Sequence, residues 1–195
     1  MKTIVWDVDD TLNNLTEVWF NEWWLPENRS ATIRFGQLKE NPPSHLLGIS
    51  HEAYLASLDA FRASELAGKI KPAPQVMDWF GLHGEEARHL VLTATPLQDA
   101  PRSAAWVLEY FGTWIRSYNV IPSKRPGQSL PLYDKTKIEF LNWLGKASIL
   151  VEDDEANLKS AYEAGYQVIG IPQPWNNIRC SLDEALAQLT ADVKG

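Results

Sequence analysis

The sequence predicts an α/β protein, a doubly wound (Rossmann-like) parallel sheet with a small helical insertion after its first strand. Three observations predict it. Short apolar, β-branched runs alternate with helix-period segments through the second half of the chain. No convincing strand lies between Asn13 and Lys71. Acidic and hydroxyl residues gather where the apolar runs stop, and in open α/β sheets ligands bind beyond the carboxyl ends of the strands. The expected division is 1–13 and 71–195 for the α/β core and 14–70 for the insertion.

The chain has 195 residues, 45% hydrophobic and 22% charged, enough for one good core with a subdomain. Its 18 basic and 25 acidic residues leave a formal charge of −7, which argues against a nucleic-acid polymer as partner. A small anionic ligand would then need local cations or a metal. Cys180 is the sole cysteine, so no internal disulfide forms. No apolar run reaches the roughly 20 residues of a membrane helix, and Met1-Lys2 leads straight into a strand. A cytoplasmic protein without membrane contacts is expected, of undetermined oligomeric state.

Thr3-Ile4-Val5-Trp6 reads as a buried strand that stops at Asp7-Val8-Asp9-Asp10-Thr11. Three carboxylates within four positions repel one another, and side-chain alternation points Asp7 and Asp9 the same way, so a hard oxygen-preferring ion such as Mg2+ could sit between them. A solvated acidic turn is the plain alternative. An EF-hand loop is excluded, because Leu12 would stand where its glycine must be and Val18 where its Glu must be.

Leu15 to Leu25 has apolar i, i+3, i+4 and i+8 spacings, hence a helix with an aromatic face that stops before Pro26. Arg29 to Glu40 is a weaker helical candidate. Asn41-Pro42-Pro43-Ser44 breaks the chain, and a third helix is expected from Ser50 to Ala67, capped by Ser50 or Ser44 and stopped by Gly68. Lys71 to Pro74 is a linker, and Gln75 to Phe80 a short helix. His89-Leu90-Val91-Leu92 is the second strand, ending at Thr93-Ala94-Thr95-Pro96. Asp99 offers a cap for a helix from Pro101 to Phe111, Tyr118 to Ile121 is a third strand, and Pro122 to Leu132 a loop. Asp134 is expected to cap a helix over Lys135–Leu144. A fourth strand, Ser148 to Val151, ends in Glu152-Asp153-Asp154; a helix through Leu158 to Ala164 stops at Gly165. Gln167 to Ile171 is the fifth strand, Pro172 to Asn176 a loop and Leu182 to Leu189 the last helix.

Lys135 and Lys137 both fall in the first turn of their expected helix, where the macrodipole disfavours a cation by about 0.3–1 kcal/mol. A bound anion would reverse that sign, although first-turn lysines are also found merely solvated. Two acidic clusters, Thr93 and a lysine at the strand ends together suit Mg2+-assisted phosphoryl transfer.

The order Asp7-x-Asp9-x-Thr11, Thr93, Lys135, Glu152-Asp153 resembles the four motifs of the haloacid dehalogenase (HAD) superfamily of phosphohydrolases, over residues 3 to about 172. The insertion resembles that superfamily's small helical cap. The resemblance implies a Mg2+-dependent phosphomonoester hydrolase with Asp7 as nucleophile, Asp9 as proton donor and then base, and Thr93 and Lys135 holding phosphoryl oxygens. It implies Asp7, Asp9 (through its carbonyl) and Asp153 at the metal, assisted by Glu152 or Asp154, and no organic cofactor. Asp134-Lys135-Thr136 and Gln173-Pro174-Trp175-Asn176 are similar to the 5′(3′)-deoxyribonucleotidase branch, whereas Asp10-Thr11-Leu12 differs from that branch's usual Gly-hydrophobic-Leu. The expected partner is a small phosphorylated metabolite, foremost a nucleoside or deoxynucleoside monophosphate. A sugar phosphate, a phosphomutase reaction, or a non-catalytic phosphoryl- or partner-binding module are the alternatives. Thr11, Thr95, Trp19 and Trp23 are the candidates for substrate contact; the tryptophans have a competing role as the insertion's own core.

Overall fold

A computed structural model describes all residues, 1–195. Five strands form one parallel sheet: β1 (Thr3–Trp6), β2 (Arg88–Thr93), β3 (Ile115–Val120), β4 (Ile149–Glu152) and β5 (Gln167–Gly170), in the spatial order β3-β2-β1-β4-β5. The α/β fold class predicted from sequence is the one observed. β1 is fully buried, as a central parallel strand must be, since its two faces pack on different helix layers. Ile4 and Trp6 face a core shared with α3 (Pro74–His83), α4 (Ala100–Phe111) and α7 (Leu182–Lys194). Val5 faces the opposite layer, with α5 (Lys137–Leu144) and α6 (Glu155–Glu163). Trp6 alone, wholly buried, contributes about 4–6 kcal/mol of apolar burial before entropy is charged against it. The chain leaves β1 toward β2 and β3 on one side and returns to β4 and β5 on the other, so the crevice between β1 and β4 is the topological switch point.

Between β1 and β2, α1 (Leu15–Val18) runs on through a π-helical stretch, Trp19–Trp24, into a final turn, Leu25–Glu27. The wider π turn brings residues five apart onto one face, and the Trp19 and Trp24 rings lie 6.4 Å apart. With α2 (His51–Arg62) they enclose a separate core that includes Phe20, Leu38, Tyr54 and Phe61. No strand forms in this region; Asn13 and Pro72, at its two ends, make an isolated antiparallel bridge.

Several boundaries differ from expectation. Arg29–Glu40 holds only a 3-10 turn, Phe35–Gln37, with Gly36 at its centre. α2 ends at Arg62 because Ser64 donates to the Phe61 carbonyl and accepts from the Ala67 N–H, substituting local hydrogen bonds for helical ones. Asp99 makes no cap hydrogen bond: its backbone is itself helical (φ −94°, ψ −16°), which turns the carboxylate away from the first amides. α5 starts two residues late, capped by Thr136 instead of Asp134, with Thr136 Oγ1 accepting from Glu139 N at 3.2 Å. α7 continues to Lys194, and β3 begins at Ile115. No helix is long and apolar enough to cross a membrane.

Candidate active site

The loop after β1 turns through Asp10, which takes a left-handed conformation (φ 60°) that Asp tolerates better than most residues. That turn sends the Asp10 carboxylate back to the α1 start, where it accepts hydrogen bonds from the Thr16 N–H (2.8 Å) and hydroxyl. Asp10 is therefore an anchor for the loop. Asp7 continues β1 by donating its N–H to the Val151 carbonyl at 3.0 Å, which holds its side chain at the crevice beside β4.

Asp7, Glu152 and Asp153 are all buried, and their carboxylate oxygens lie within 4.8 Å of one another. Lys137 Nζ lies 2.8 Å from Asp7 Oδ1 and donates to Glu152 Oε2 at 2.6 Å. Glu152 Oε1 accepts from the N–H groups of Asp153 and Asp154, each at 3.2 Å, and Oε2 also accepts from Asn157 Nδ2 at 3.3 Å. Glu152 is thus fully satisfied by protein donors. Asp7 Oδ1, in contrast, accepts no aligned hydrogen bond although it is buried. Asp153 receives only the Trp175 indole N–H, at 3.0 Å on Oδ2. Burial, then the Glu152 charge, pushes the Asp7 carboxyl up to about 7 against the pull of Lys137. Burial also lifts the Asp153 carboxyl, again with Glu152 as the next cause. Burial opposes the charge on Lys137, but Asp7 and Glu152 outweigh it and hold its ammonium above the usual lysine range. Three buried carboxylates facing one ammonium leave negative charge that the protein does not balance, a donor set that fits a hard divalent cation such as Mg2+.

The sequence-predicted residues separate clearly. Asp7, Thr93, Glu152 and Asp153 meet around a cavity of about 190 Å³, which Asp9 also lines. Lys135 does not: it is exposed, and its backbone N–H is taken by Glu139 Oε2. Lys137 stands in its place because the Thr136 cap makes Lys137 the first helical residue, facing inward from the helix start. The Thr136-x-x-Glu139 pattern was the available signal for that start. Asp9 turns its carboxylate to Arg62 of α2, 2.8 Å away. Asp154 is occupied as the α6 cap, accepting from Asn157 N at 2.8 Å. Thr11 is buried with its hydroxyl unpartnered and lines neither this cavity nor its neighbour. Thr95 lines the neighbouring cavity beside Asp9. Trp19 is wholly buried in the α1–α2 core with its indole N–H on Ser57, and Trp23 packs on Phe61; neither lines either cavity.

Two further features escape sequence reasoning. Arg62 reaches Asp9 from the insertion, and its neighbour Asp59 is held bidentately by Arg125 at 2.6 and 2.7 Å, tying the insertion to the loop after β3. The Gln173–Asn176 loop packs under the acids: Gln173 Nε2 donates to the Asp10 carbonyl at 2.7 Å, and Asn176 Nδ2 to the Asp153 carbonyl at 2.9 Å.

The same fold is found in solved structures of HAD-like hydrolases and phosphatases. Similar solved structures include a haloacid dehalogenase-like hydrolase from Streptococcus pneumoniae, with TM-score 0.59, 13% identity, and coverage of 96% of this chain and 90% of that one. A predicted phosphatase from Clostridium acetobutylicum matches with TM-score 0.62 and 14% identity over 97% of this chain and 98% of that one. A HAD-superfamily hydrolase of subfamily IA from Geobacter sulfurreducens matches with TM-score 0.52 and 15% identity over 97% and 96%. No family model and no curated protein matches the sequence.

Proposed function

We propose that the protein is a Mg2+-dependent phosphomonoester hydrolase of the HAD type. The observation that carries this reading is the buried cluster of three carboxylates, Asp7, Glu152 and Asp153, that shares the single ammonium of Lys137 at a switch-point crevice. Asp7 and Asp153 would hold the ion directly, with Glu152, whose oxygens are already bonded, adding charge from behind; the ion would neutralise phosphoryl oxygens and strengthen the electrophile. A carboxylate oxygen of Asp7 attacks phosphorus as the P–O ester bond breaks, and Asp9, once it has left the Arg62 ion pair and taken up a proton, gives that proton to the departing alkoxide, leaving an aspartyl-phosphate and an alcohol. Asp9 then takes a proton from the water that cleaves the acyl-phosphate bond, regenerating Asp7 and releasing phosphate. Lys137 and Thr93 offset charge on the phosphoryl oxygens. Residues 14–70 act as a cap over the crevice, contributing Tyr54, Leu58 and Arg62 to its walls.

The substrate is a small phosphorylated metabolite, a nucleoside or deoxynucleoside monophosphate or a sugar phosphate. The sugar phosphate gains from the placement of the tryptophans: Trp19 is wholly buried in the cap core, and the half-buried Trp23 packs on Phe61 and lines neither cavity. A lone exposed thiol, Cys180, supports a reducing, cytoplasmic setting.

The test is hydrolysis of an aryl phosphate with Mg2+ and with EDTA, followed by a panel of nucleotide and sugar monophosphates. EDTA should abolish turnover, and Asp7→Asn should lower it by at least about 10³-fold. Equal rates in parent and Asp7→Asn would remove Asp7 as nucleophile.

A further inference from the structure

A second cavity, of about 260 Å³, lies on the other side of Asp9 and shares Asp9, Leu15 and Arg62 with the first. Its walls carry Asp99, a residue 7% exposed. Asp99 Oδ2 is buried without any hydrogen-bond donor, and the side chain makes no cap bond to α4. The cations nearby do not answer it. Arg62 is committed to Asp9 at 2.8 Å and Asp59 at 3.6 Å, and Arg102, also on the wall, forms no ion pair. A buried carboxylate oxygen without a donor is unfavourable unless something supplies one. The remaining walls combine apolar surface from Leu15, Ile70 and Trp106 with the hydroxyl-bearing Thr95 and Ser103.

We propose that this cavity receives the organic part of the phosphoester, and that Asp99 selects leaving groups carrying a hydrogen-bond donor, a hydroxyl or an ammonium, close to the ester oxygen. The inference rests on the hydrolase reading, because it places phosphorus in the first cavity and the ester oxygen at Asp9 between the two. The volume lies below the roughly 300–1,000 Å³ usual for drug-sized ligands, so the group is small. Thr95 and Ser103 add exchangeable donor and acceptor positions suited to a second hydroxyl, and the apolar wall covers the carbon skeleton.

The test is calorimetric binding, with Mg2+, to the hydrolytically silenced Asp7→Asn protein, using glycerol 3-phosphate, phosphoethanolamine and phenyl phosphate. The donor-bearing esters should bind at least ten-fold tighter than phenyl phosphate, and a further Asp99→Leu change should erase that advantage. Asp99→Asn separates the sources of the donor. It should keep most of the preference for the hydroxyl ester, whose donor an amide oxygen still accepts, and lose the preference for the ammonium ester. Phenyl phosphate binding as tightly as the others, an advantage that survives Asp99→Leu, or no binding of any ester would overturn the assignment. Absence of turnover in the parent enzyme, with these binding preferences intact, would instead refute the hydrolase reading alone.

Discussion

Lys137 is the side chain on which the acid cluster depends, since it faces both Asp7 and Glu152 with 3% of its side chain exposed. Removing it leaves two buried carboxylates without their cation, so Lys137→Ala should destabilise the fold by about 3–5 kcal/mol and abolish aryl-phosphate turnover. Lys135→Ala, at an exposed position, should stay within about 0.5 kcal/mol in urea unfolding and keep its turnover. Loss of turnover in Lys135→Ala with retention in Lys137→Ala would reverse the roles. His89 gives a separate pH signature. Its Nδ1 accepts from the Trp6 indole N–H at 3.1 Å and its Nε2 contacts the Gly84 carbonyl at 3.0 Å, so the ring must be neutral, and burial pulls its pKa down to about 4 from 6.5. The unfolded chain then binds the proton more readily between pH 6.5 and 4, and stability falls as pH falls through that window, by up to about 3 kcal/mol. Urea unfolding at pH 7 and 5 should show a shallower loss in His89→Phe, even though that variant is weaker at pH 7.

Among the elements, the start of α5 decides which lysine faces the acids. Thr136 accepts the Glu139 N–H and sets Lys137 as the first helical residue; a helix begun at Lys135 would carry Lys137 farther round the first turn. Thr136→Ala should cost about 1 kcal/mol and lower kcat, with Thr136→Ser restoring both. A full stability loss with unchanged kcat would mean that the cap has no part in placing the lysine. α1 makes a comparable point. Its aromatic spacing fits an ordinary helix, yet the π turn over Trp19–Trp24 gathers Trp19, Phe20 and Trp24 into the insertion core. The aromatic face was legible, and its destination was not, because periodicity marks which face is buried without saying against what.

For the whole molecule, the crevice between β1 and β4 collects charge that the protein alone does not balance. Without a cation, the folded state keeps a proton on Asp7 that the unfolded chain gives up, so this group lowers stability as pH rises from about 4 to about 7. A metal ion bound there would take over from that proton, so its affinity should rise with pH over the same range. At 100 times its Kd, Mg2+ should add about 2.7 kcal/mol at pH 8, on the order of 5–10 °C in Tm, and much less at pH 5.5. A pH-independent shift would place the ion elsewhere. The strand-end convergence of Asp7, Thr93, Glu152 and Asp153 followed from alternation of elements alone, because parallel strands with crossover helices force their carboxyl ends to one edge.

The local pattern by itself determined the five strands, their parallel arrangement, the acids at the ends of β1 and β4, and the strand-free stretch between β1 and β2, since each is written in short-range periodicity and turn chemistry. Tertiary structure decided which lysine enters the site, that Arg62 crosses from the insertion to Asp9, that Trp19 and Trp23 pack in the insertion and line neither cavity, and that Asp99 Oδ2 is left without a donor. Those facts depend on packing between segments far apart in the chain. Hydrophobic spacing fixes a face, whereas the partner of a buried charge is fixed only once distant elements meet.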